Sequence, residues 1–257
     1  MYEVGQQFRE SADVMIASEG TVPNAGWSYP EMLECFTNDS ADTRRIAKAC
    51  VKRYIEKQAN FSIGGVSVDI AAWDLTLLES LNHKFSSFTK ALIECFSEKM
   101  DSVYTQMRRV LFQTHYTSQT YLYEQNVDLG DFCNLLNDEL DLVKRENGGN
   151  LDPKIAKLQD SCKLVVEEID RCIILGGHSG GSFQHSTGIA LFFPWSLTAY
   201  SVSRKDYEEL DFVAKTEAGM HWNQFLQKYL GEVTLRKGLS QDIKEKGIGL
   251  QKAKHHS

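Results

Sequence analysis

Two kinds of apolar pattern alternate along this chain, and together they restrict it to a fold in which helices pack on a small sheet. Residues 75–113 carry large apolar side chains at spacings of three and four, which is typical of the buried face of a helix. The stripe consists of Leu77, Leu78, Leu81, Phe85, Phe88, Leu92 and Phe96. Just before it, apolar and polar residues alternate over 66–70, which predicts a strand.

The same two patterns recur from one end of the chain to the other. Further strands are predicted at 13–19, 172–175 and 188–193. Further helices are predicted at 1–10, 29–36, 43–58, 128–142, 152–170, 204–216 and 221–229. Residues 114–127 are mixed and rich in Thr and Tyr, which predicts a loop. Because helices alternate with a few short apolar strands, the sequence indicates an α/β fold with a small sheet.

Composition narrows the function classes. The chain has 257 residues with a formal net charge of −7, which argues against general nucleic-acid binding because that usually needs a basic face. No apolar run reaches the roughly 18–20 residues of a membrane span, so we expect a soluble chain without a membrane partner. Residues 1–19 lack the basic and apolar regions of a signal peptide, and the sequence leaves the compartment open.

Six cysteines are spread along the chain, and none of them has the C-x-x-C spacing of a zinc ribbon or a thioredoxin-like motif. They stand at positions 35, 50, 95, 133, 162 and 172. Four of them, Cys50, Cys95, Cys133 and Cys162, fall within helical apolar patterns. We therefore expect buried free thiols, with disulfides left open.

The segment Gly177-His178-Ser179-Gly180-Gly181 fits G-x-S-x-G, the nucleophile elbow of α/β-hydrolases. Asp206 or Asp211, followed by His221, would complete a triad in the right chain order. An elbow serine needs a helix directly after it, whereas residues 181–185 predict a loop. A serine hydrolase using Ser179 is therefore kept only as an alternative.

A second set of motifs covers most of the chain. They are ADVMIASEGTVPNAGWSYPEML at 12–33, SVDIAAWDLTLLESL at 67–81, VDLGDFCNLL at 127–136 and STGIALFFP at 186–194. In this order they resemble four stretches of the clostripain family of cysteine peptidases, the first of which follows that family's catalytic cysteine. The resemblance implies a partial caspase-like α/β fold with a small, mostly parallel sheet flanked by helices. It would occupy 1–231, followed by a Lys- and Gly-rich tail at 232–257.

The resemblance also implies a chemistry, peptide-bond hydrolysis by a Cys–His dyad. In that family the nucleophile lies just before a helix that corresponds here to residues 1–10, so we expect the dyad upstream of Met1. No catalytic residue is therefore assigned in this chain. It is expected to be the part after the nucleophile, inactive alone and acting on a polypeptide substrate once a catalytic part completes it. The alternative is a non-catalytic truncated homologue that acts as an interaction or regulatory partner.

The residues predicted to bind substrate lie in the first motif. They are Ser18, Glu19, Asn24, Ala25, Gly26 and Trp27. Family members that cut after Arg or Lys resemble each other in a PGDGW loop, and Ala25 stands here at the acidic position. We therefore expect a weakened preference for basic P1 residues, unless the alignment is shifted by one or Glu19 supplies the charge.

The remaining marked residues have structural interpretations. Trp73, Trp195 and Trp222 are predicted core anchors, and Asp69 and Asp128 suit capping or loop roles. No metal ligand is assigned. Calcium is implied by the family resemblance alone, because no EF-hand spacing is present. Without the strands that normally flank it, the first strand is expected to leave a sheet edge open and to make the chain dependent on a partner.

Overall fold

Helices make up most of the part of the chain that the computed structural model describes, which is residues 2–24, 26–37, 42–59, 66–97, 102–121 and 125–231. The helices are α1 (Tyr2–Phe8), α2 (Tyr29–Glu34), α3 (Thr43–Ala59), α4 (Leu78–Cys95), α5 (Ser102–Thr117), α6 (Leu129–Glu146), α7 (Pro153–Cys172), α8 (Leu197–Glu209), α9 (Asp211–Lys215) and α10 (217–231). The strands are β1 (Val14–Ala17), β2 (Val68–Asp74), β3 (Thr120–Tyr121), β4 (Asn126–Asp128), β5 (Ile173–Ser179) and β6 (Ala190–Phe192). The predicted tail at 232–257 lies outside the described residues, and so does Met1.

The strands form two three-stranded sheets, in the orders β1-β2-β5 and β3-β4-β6. Every pair in these sheets is antiparallel, with Val14 opposite Asp74 and Val68 opposite Ser179. The prediction of a mostly parallel sheet was therefore wrong for the described residues. A parallel pair needs a crossover that returns the chain to the same end of the sheet. Here the connection that contains α2 and α3 returns the chain beside the end of β1, so β2 runs in the opposite direction.

The predicted stripe of large apolar residues forms the centre of the main core. Leu78, Leu81, Phe85, Phe88 and Leu92 on α4 are fully buried, and α4 packs against α7 and α5. The prediction of an α/β fold flanked by helices is confirmed, as is the burial of the helical stripe at 77–96.

The tryptophans predicted as core anchors divide into two groups. Trp73 and Trp222 are fully buried, and the Trp222 ring centroid lies 5.5 Å from that of Phe85. Trp195 is half-buried, and its ring stacks on His115 at 3.9 Å. The prediction is thus confirmed for the first two, whereas Trp195 lies at the margin of the core.

Helix α1 turns a different face to the core than its apolar spacing predicts. It buries Tyr2, Glu3, Gly5 and Gln6, whereas Val4 and Phe8 are exposed. The Tyr2 hydroxyl donates to Asn82 Oδ1 at 2.5 Å, and the Phe192 amide donates to Glu3 Oε1 at 2.8 Å. Polar partners distant in sequence therefore determine the orientation of this seven-residue helix.

Residues 114–127 are more regular than the predicted loop. Helix α5 continues to Thr117, and Thr120 in β3 lies opposite Val127 in β4. The loop prediction was therefore wrong for most of the described residues of this segment, and residues 122–124 lie outside the described part. These strands have two and three residues, too few for a periodic signal, and they form because β4 also pairs with β6.

Gly219, near the start of α10, makes the closest backbone approach among the described glycines. A Cβ atom there would lie 2.0 Å from the Phe212 carbonyl oxygen. We predict that Gly219→Ala lowers the free energy of unfolding by about 1–3 kcal/mol, because the backbone of α9 must shift. The matched control is Gly231→Ala, where no atom lies within 4 Å of the new Cβ. Urea denaturation of both variants checks this, and equal stabilities would contradict it.

Candidate functional site

The segment predicted to bind substrate, residues 18–27, is a loop between β1 and α2, and we call it the substrate loop. The Gly26 amide donates to the Pro23 carbonyl at 2.8 Å, and Gly26 has a φ of 67°, which a side chain would disfavour. The Trp27 ring packs on Tyr54 of α3 with centroids 5.8 Å apart. The loop is thus tied to α3 at its C-terminal end.

The predicted residues do not share one environment. Asn24 is exposed, Ser18, Gly26 and Trp27 are half-buried, and Glu19 is buried. Ala25 lies outside the described residues. The structure places these residues on one continuous segment, but it turns Glu19 towards the interior.

Glu19 is held by donors from two later parts of the chain. Its Oε2 atom accepts hydrogen bonds from the Tyr121 hydroxyl at 3.0 Å, from the Gly188 amide at 3.1 Å and from the Ser186 hydroxyl. Its Oε1 atom is buried without a hydrogen-bond partner within the described residues. Glu19 therefore joins the end of β1 to β3 and to the loop before β6.

Two further buried carboxylates surround Glu19. Asp69 on β2 accepts hydrogen bonds from the Glu19 amide at 2.7 Å and from the Gly20 amide at 2.8 Å. Asp128 caps α6 by accepting from the Asp131 amide at 2.8 Å, so its predicted capping role is confirmed. We call Glu19, Asp69 and Asp128 the carboxylate cluster. Glu19 lies two residues after β1, Asp69 lies on β2 and Asp128 lies on β4, so the cluster joins the two sheets.

Asp128 also fastens the loop before β6. Its Oδ2 atom accepts from the Thr187 amide at 2.6 Å, and its Oδ1 atom accepts from the Thr187 hydroxyl at 2.7 Å. The Tyr121 hydroxyl lies 3.4 Å from Asp128 Oδ2. Tyr121 therefore lies between Glu19 and Asp128.

Burial and mutual repulsion favour the protonated forms of these acids. Burial, followed by the charges of Asp128 and Asp69, raises the pKa of Glu19 well above its ordinary value. Burial raises the pKa of Asp128 to about 6, although its hydrogen bonds oppose the shift. Burial also raises the pKa of Asp69. The cluster is thus a proton-binding structural element of the folded chain.

The arrangement does not resemble a metal centre. Among the described residues no group of three or more His, Cys, Asp or Glu side chains is placed to hold an ion. The oxygens of Asp69 and Asp128 already accept hydrogen bonds from the protein itself. The calcium site implied by the family resemblance stays a prediction with no location among these residues.

All six thiols are buried and free, as the sequence predicts. The most accessible, Cys35, has only 8% of its surface exposed. Burial raises the pKa of Cys50 to about 11 and those of Cys95 and Cys172 to about 12. A cysteine nucleophile needs an accessible sulfur and a thiolate. Burial limits access at all six sites, and the raised pKa disfavours the thiolate at Cys50, Cys95, Cys133 and Cys172.

Ser179 lies at the end of β5, opposite Val68. Residues 180–185 form bends and turns, so no helix follows the serine, in agreement with the sequence interpretation. His221, its predicted base, has its Nδ1 atom 3.5 Å from the Ser86 hydroxyl. The described residues therefore give Ser179 no nucleophile elbow.

Sequence reasoning missed the partners that hold Glu19. Tyr121, Ser186 and Gly188, which donate to Glu19, were not predicted as site residues, and neither was Thr187, which donates to Asp128. Ser186, Thr187 and Gly188 open the motif at 186–194, and that position was the one available signal. Tyr121 carried none, since it lies in the segment predicted as a loop.

Strand β1 lies at the edge of its sheet. Within the described part of the chain it pairs with β2 alone, and its four apolar residues are all half-exposed. By contrast, the first six residues of β2 are buried. No described helix is long and apolar enough to cross a membrane.

Comparison with known proteins gives a consistent family. A model of the clostripain family matches residues 1–229. No curated protein matches the chain. Among solved structures, an inactive zymogen C11 protease from Parabacteroides distasonis has a TM-score of 0.52 at 14% identity, over 84% of this chain and 55% of its own.

Two structures from Bacteroides thetaiotaomicron are similar as well. A clostripain in complex with a peptide inhibitor has a TM-score of 0.52 at 16% identity, over 86% of this chain and 81% of its own. A secreted C11 cysteine protease with an irreversible peptide inhibitor has a TM-score of 0.53 at 16% identity, over 84% and 55%. At such identities the likeness shows the fold. The chain spans about half the length of the first and third of these proteins.

Proposed function

Since this chain belongs to the clostripain family of cysteine peptidases, we propose that it is the substrate-binding and core part of a cysteine endopeptidase. The observation that carries the proposal is that all six thiols are buried. The predicted substrate loop, in contrast, follows a strand at an open sheet edge. The nucleophile and its histidine would then come from residues outside 1–257.

In the mechanism we propose, the Cys–His dyad comes from residues outside this chain, and this chain binds the substrate. In a Cys–His dyad the imidazole removes the thiol proton, and the thiolate attacks the scissile carbonyl to give an acyl-enzyme that water hydrolyses. This chain would hold the substrate loop next to that dyad. The carboxylate cluster fixes one end of the loop, and the contact between Trp27 and Tyr54 fixes the other.

Strand β1 is where we propose that the catalytic part docks. An edge strand presents unpaired amide and carbonyl groups, and half-exposed apolar side chains add area that a neighbour would bury. Val4 and Phe8 on α1 are also exposed and apolar. A non-catalytic partner that pairs with an active peptidase would use the same edge, so it is kept as the second candidate.

Peptide hydrolysis distinguishes these candidates. The chain alone and the chain joined to the residues encoded upstream of Met1 are assayed on a fluorogenic peptide. We expect activity from the joined protein and none from the chain alone. Upstream codons that contain a stop or no cysteine would favour the regulatory candidate, and hydrolysis by the chain alone would contradict both.

We predict that Ala25 limits selectivity for basic residues at P1. In the joined enzyme, Ala25→Asp should raise the ratio of kcat/KM for Arg over Leu substrates about tenfold or more. The reason is that a carboxylate pairing with a guanidinium contributes roughly 1.5–3 kcal/mol. The control is Asn24→Asp, which adds the same charge at the exposed neighbouring position. A strong Arg preference in the unmodified enzyme would contradict this prediction.

A further inference from the structure

Two of the six cysteines lie at the contacting helices α2 and α3, next to the substrate loop. Cys35 forms the C-cap of α2, and Cys50 lies on α3. Both belong to a small apolar cluster that also contains Met32, Val51 and Tyr54 and is separate from the main core. Burial raises the pKa of Cys50, and the nearby Cys35 thiol contributes to this rise after burial. The Cys35 thiol itself donates to the Glu31 carbonyl at 3.6 Å.

The contacts around this thiol pair fix its two helices against each other. Glu34, the residue before Cys35, pairs with Arg53 at 2.5 Å, and Arg53 lies almost one turn after Cys50. Glu31 pairs with Lys57 at 2.8 Å, one turn further along each helix. The two ion pairs thus hold together the same two helices, α2 and α3, that carry the two cysteines.

We propose that Cys35 and Cys50 form a reversible disulfide that links α2 to α3. The oxidant is a small-molecule disulfide. The Cys35 thiolate attacks one of its sulfurs and releases one thiolate, which leaves a mixed disulfide at Cys35. The Cys50 thiolate then attacks the Cys35 sulfur and releases the second. Two protein thiols are oxidised, one small disulfide is reduced, and the two thiol protons pass to the released thiolates or to solvent.

Solvent exposure determines which thiol reacts first with the oxidant, and it explains why a second pair of cysteines does not react. Cys35 is the most exposed of the six thiols, so it is the entry point. The Arg53 guanidinium lies close enough to Cys50 to lower its pKa, which opposes the effect of burial and favours the second step. The Cys162 thiol likewise contributes to the raised pKa of Cys133, but both are fully buried. They serve as an internal control, because the same disulfide chemistry is available to them but the oxidant cannot reach them.

The bond would act on the substrate loop through α2. This helix has six residues and buries only Met32 along its length, with Cys35 just after it, so few contacts hold it. A covalent link across the 15-residue separation would restrict the unfolded chain and fix the helix. Because α2 follows Trp27 by one residue, the link would also fix the C-terminal end of the substrate loop.

The test uses the purified native chain. It is incubated with oxidised glutathione, its free thiols are blocked with iodoacetamide, and a trypsin digest is analysed by mass spectrometry. We expect a cross-linked pair of peptides 10–44 and 49–52, and no cross-link between 110–144 and 158–163. The midpoint of thermal unfolding should rise by about 5 °C and return on reduction with dithiothreitol.

Two variants and a denatured sample serve as controls. Cys35→Ser and Cys50→Ser should each abolish both the cross-link and the thermal shift. In urea, the 110–144 to 158–163 cross-link should appear, because burial no longer protects it. A stable mixed disulfide at Cys35, unmodified thiols at both positions, or a 35–50 cross-link that forms only in urea would overturn the proposal.

Discussion

Replacing Asp128 with alanine is expected to lower the free energy of unfolding by about 3–5 kcal/mol. The carboxylate is fully buried and accepts from the Asp131 amide, the Thr187 amide and the Thr187 hydroxyl. Removing it leaves these half-buried donors without their acceptor, and it also removes the N-cap of α6.

Asp152→Ala is the matched control for this measurement. Asp152 also caps a helix, because it accepts from the Lys154 amide at 2.8 Å, but it is exposed. Its replacement should cost only about 1 kcal/mol. Urea denaturation followed by circular dichroism gives both values. Equal losses for the two aspartates would show that Asp128 is a helix cap alone and not the joint between the sheets.

Replacing Glu19 with methionine is expected to cost about 2–4 kcal/mol, because Tyr121, Ser186 and Gly188 lose their shared acceptor. Glu19→Gln keeps one acceptor oxygen and removes the charge. It should therefore be close to neutral at low pH and should become more stable than the unmodified chain as the pH rises. Glu167→Met, at an exposed glutamate on α7, should change stability by about 0.5 kcal/mol or less.

The direction of this pH dependence follows from the sign of the shifts. A raised pKa means that the folded chain binds the proton more tightly than the unfolded chain, so stability falls as the pH rises between the two values. For Asp128 that window runs from its ordinary value of 3.8 to about 6. For Glu19 it begins at 4.5 and extends upward. A stability curve for Glu19→Gln parallel to that of the unmodified chain would contradict the proposed role of Glu19.

The sequence predicted correctly those features that depend only on residues close to one another in the chain. The α4 stripe was found because large apolar residues at helical spacing must be buried somewhere, whatever their partners are. The cap at Asp128 was found because this aspartate accepts from an amide three residues ahead. Neither inference depends on distant parts of the chain.

Features that depend on distant partners were missed. The burial of Glu19 depends on Tyr121 and Ser186, which lie more than 100 residues away in sequence. The orientation of α1 depends on Asn82 and Phe192. Strand direction depends on the end of the sheet to which a connection returns the chain, which apolar spacing does not report. The family resemblance predicted a substrate-binding role for residues 18–27, but it did not predict which of these residues turn inward.

The central claim is that this chain supplies the substrate loop while the nucleophile lies outside residues 1–257. Its most direct test is active-site labelling of the native chain with a peptide acyloxymethyl ketone, followed by mass spectrometry of the cysteine-containing peptides. The account predicts that none of the six buried cysteines is labelled in the chain alone, and that the protein joined to its upstream residues is labelled at a cysteine before Met1. Stoichiometric labelling of one of the six in the native chain, together with peptide hydrolysis, would contradict it.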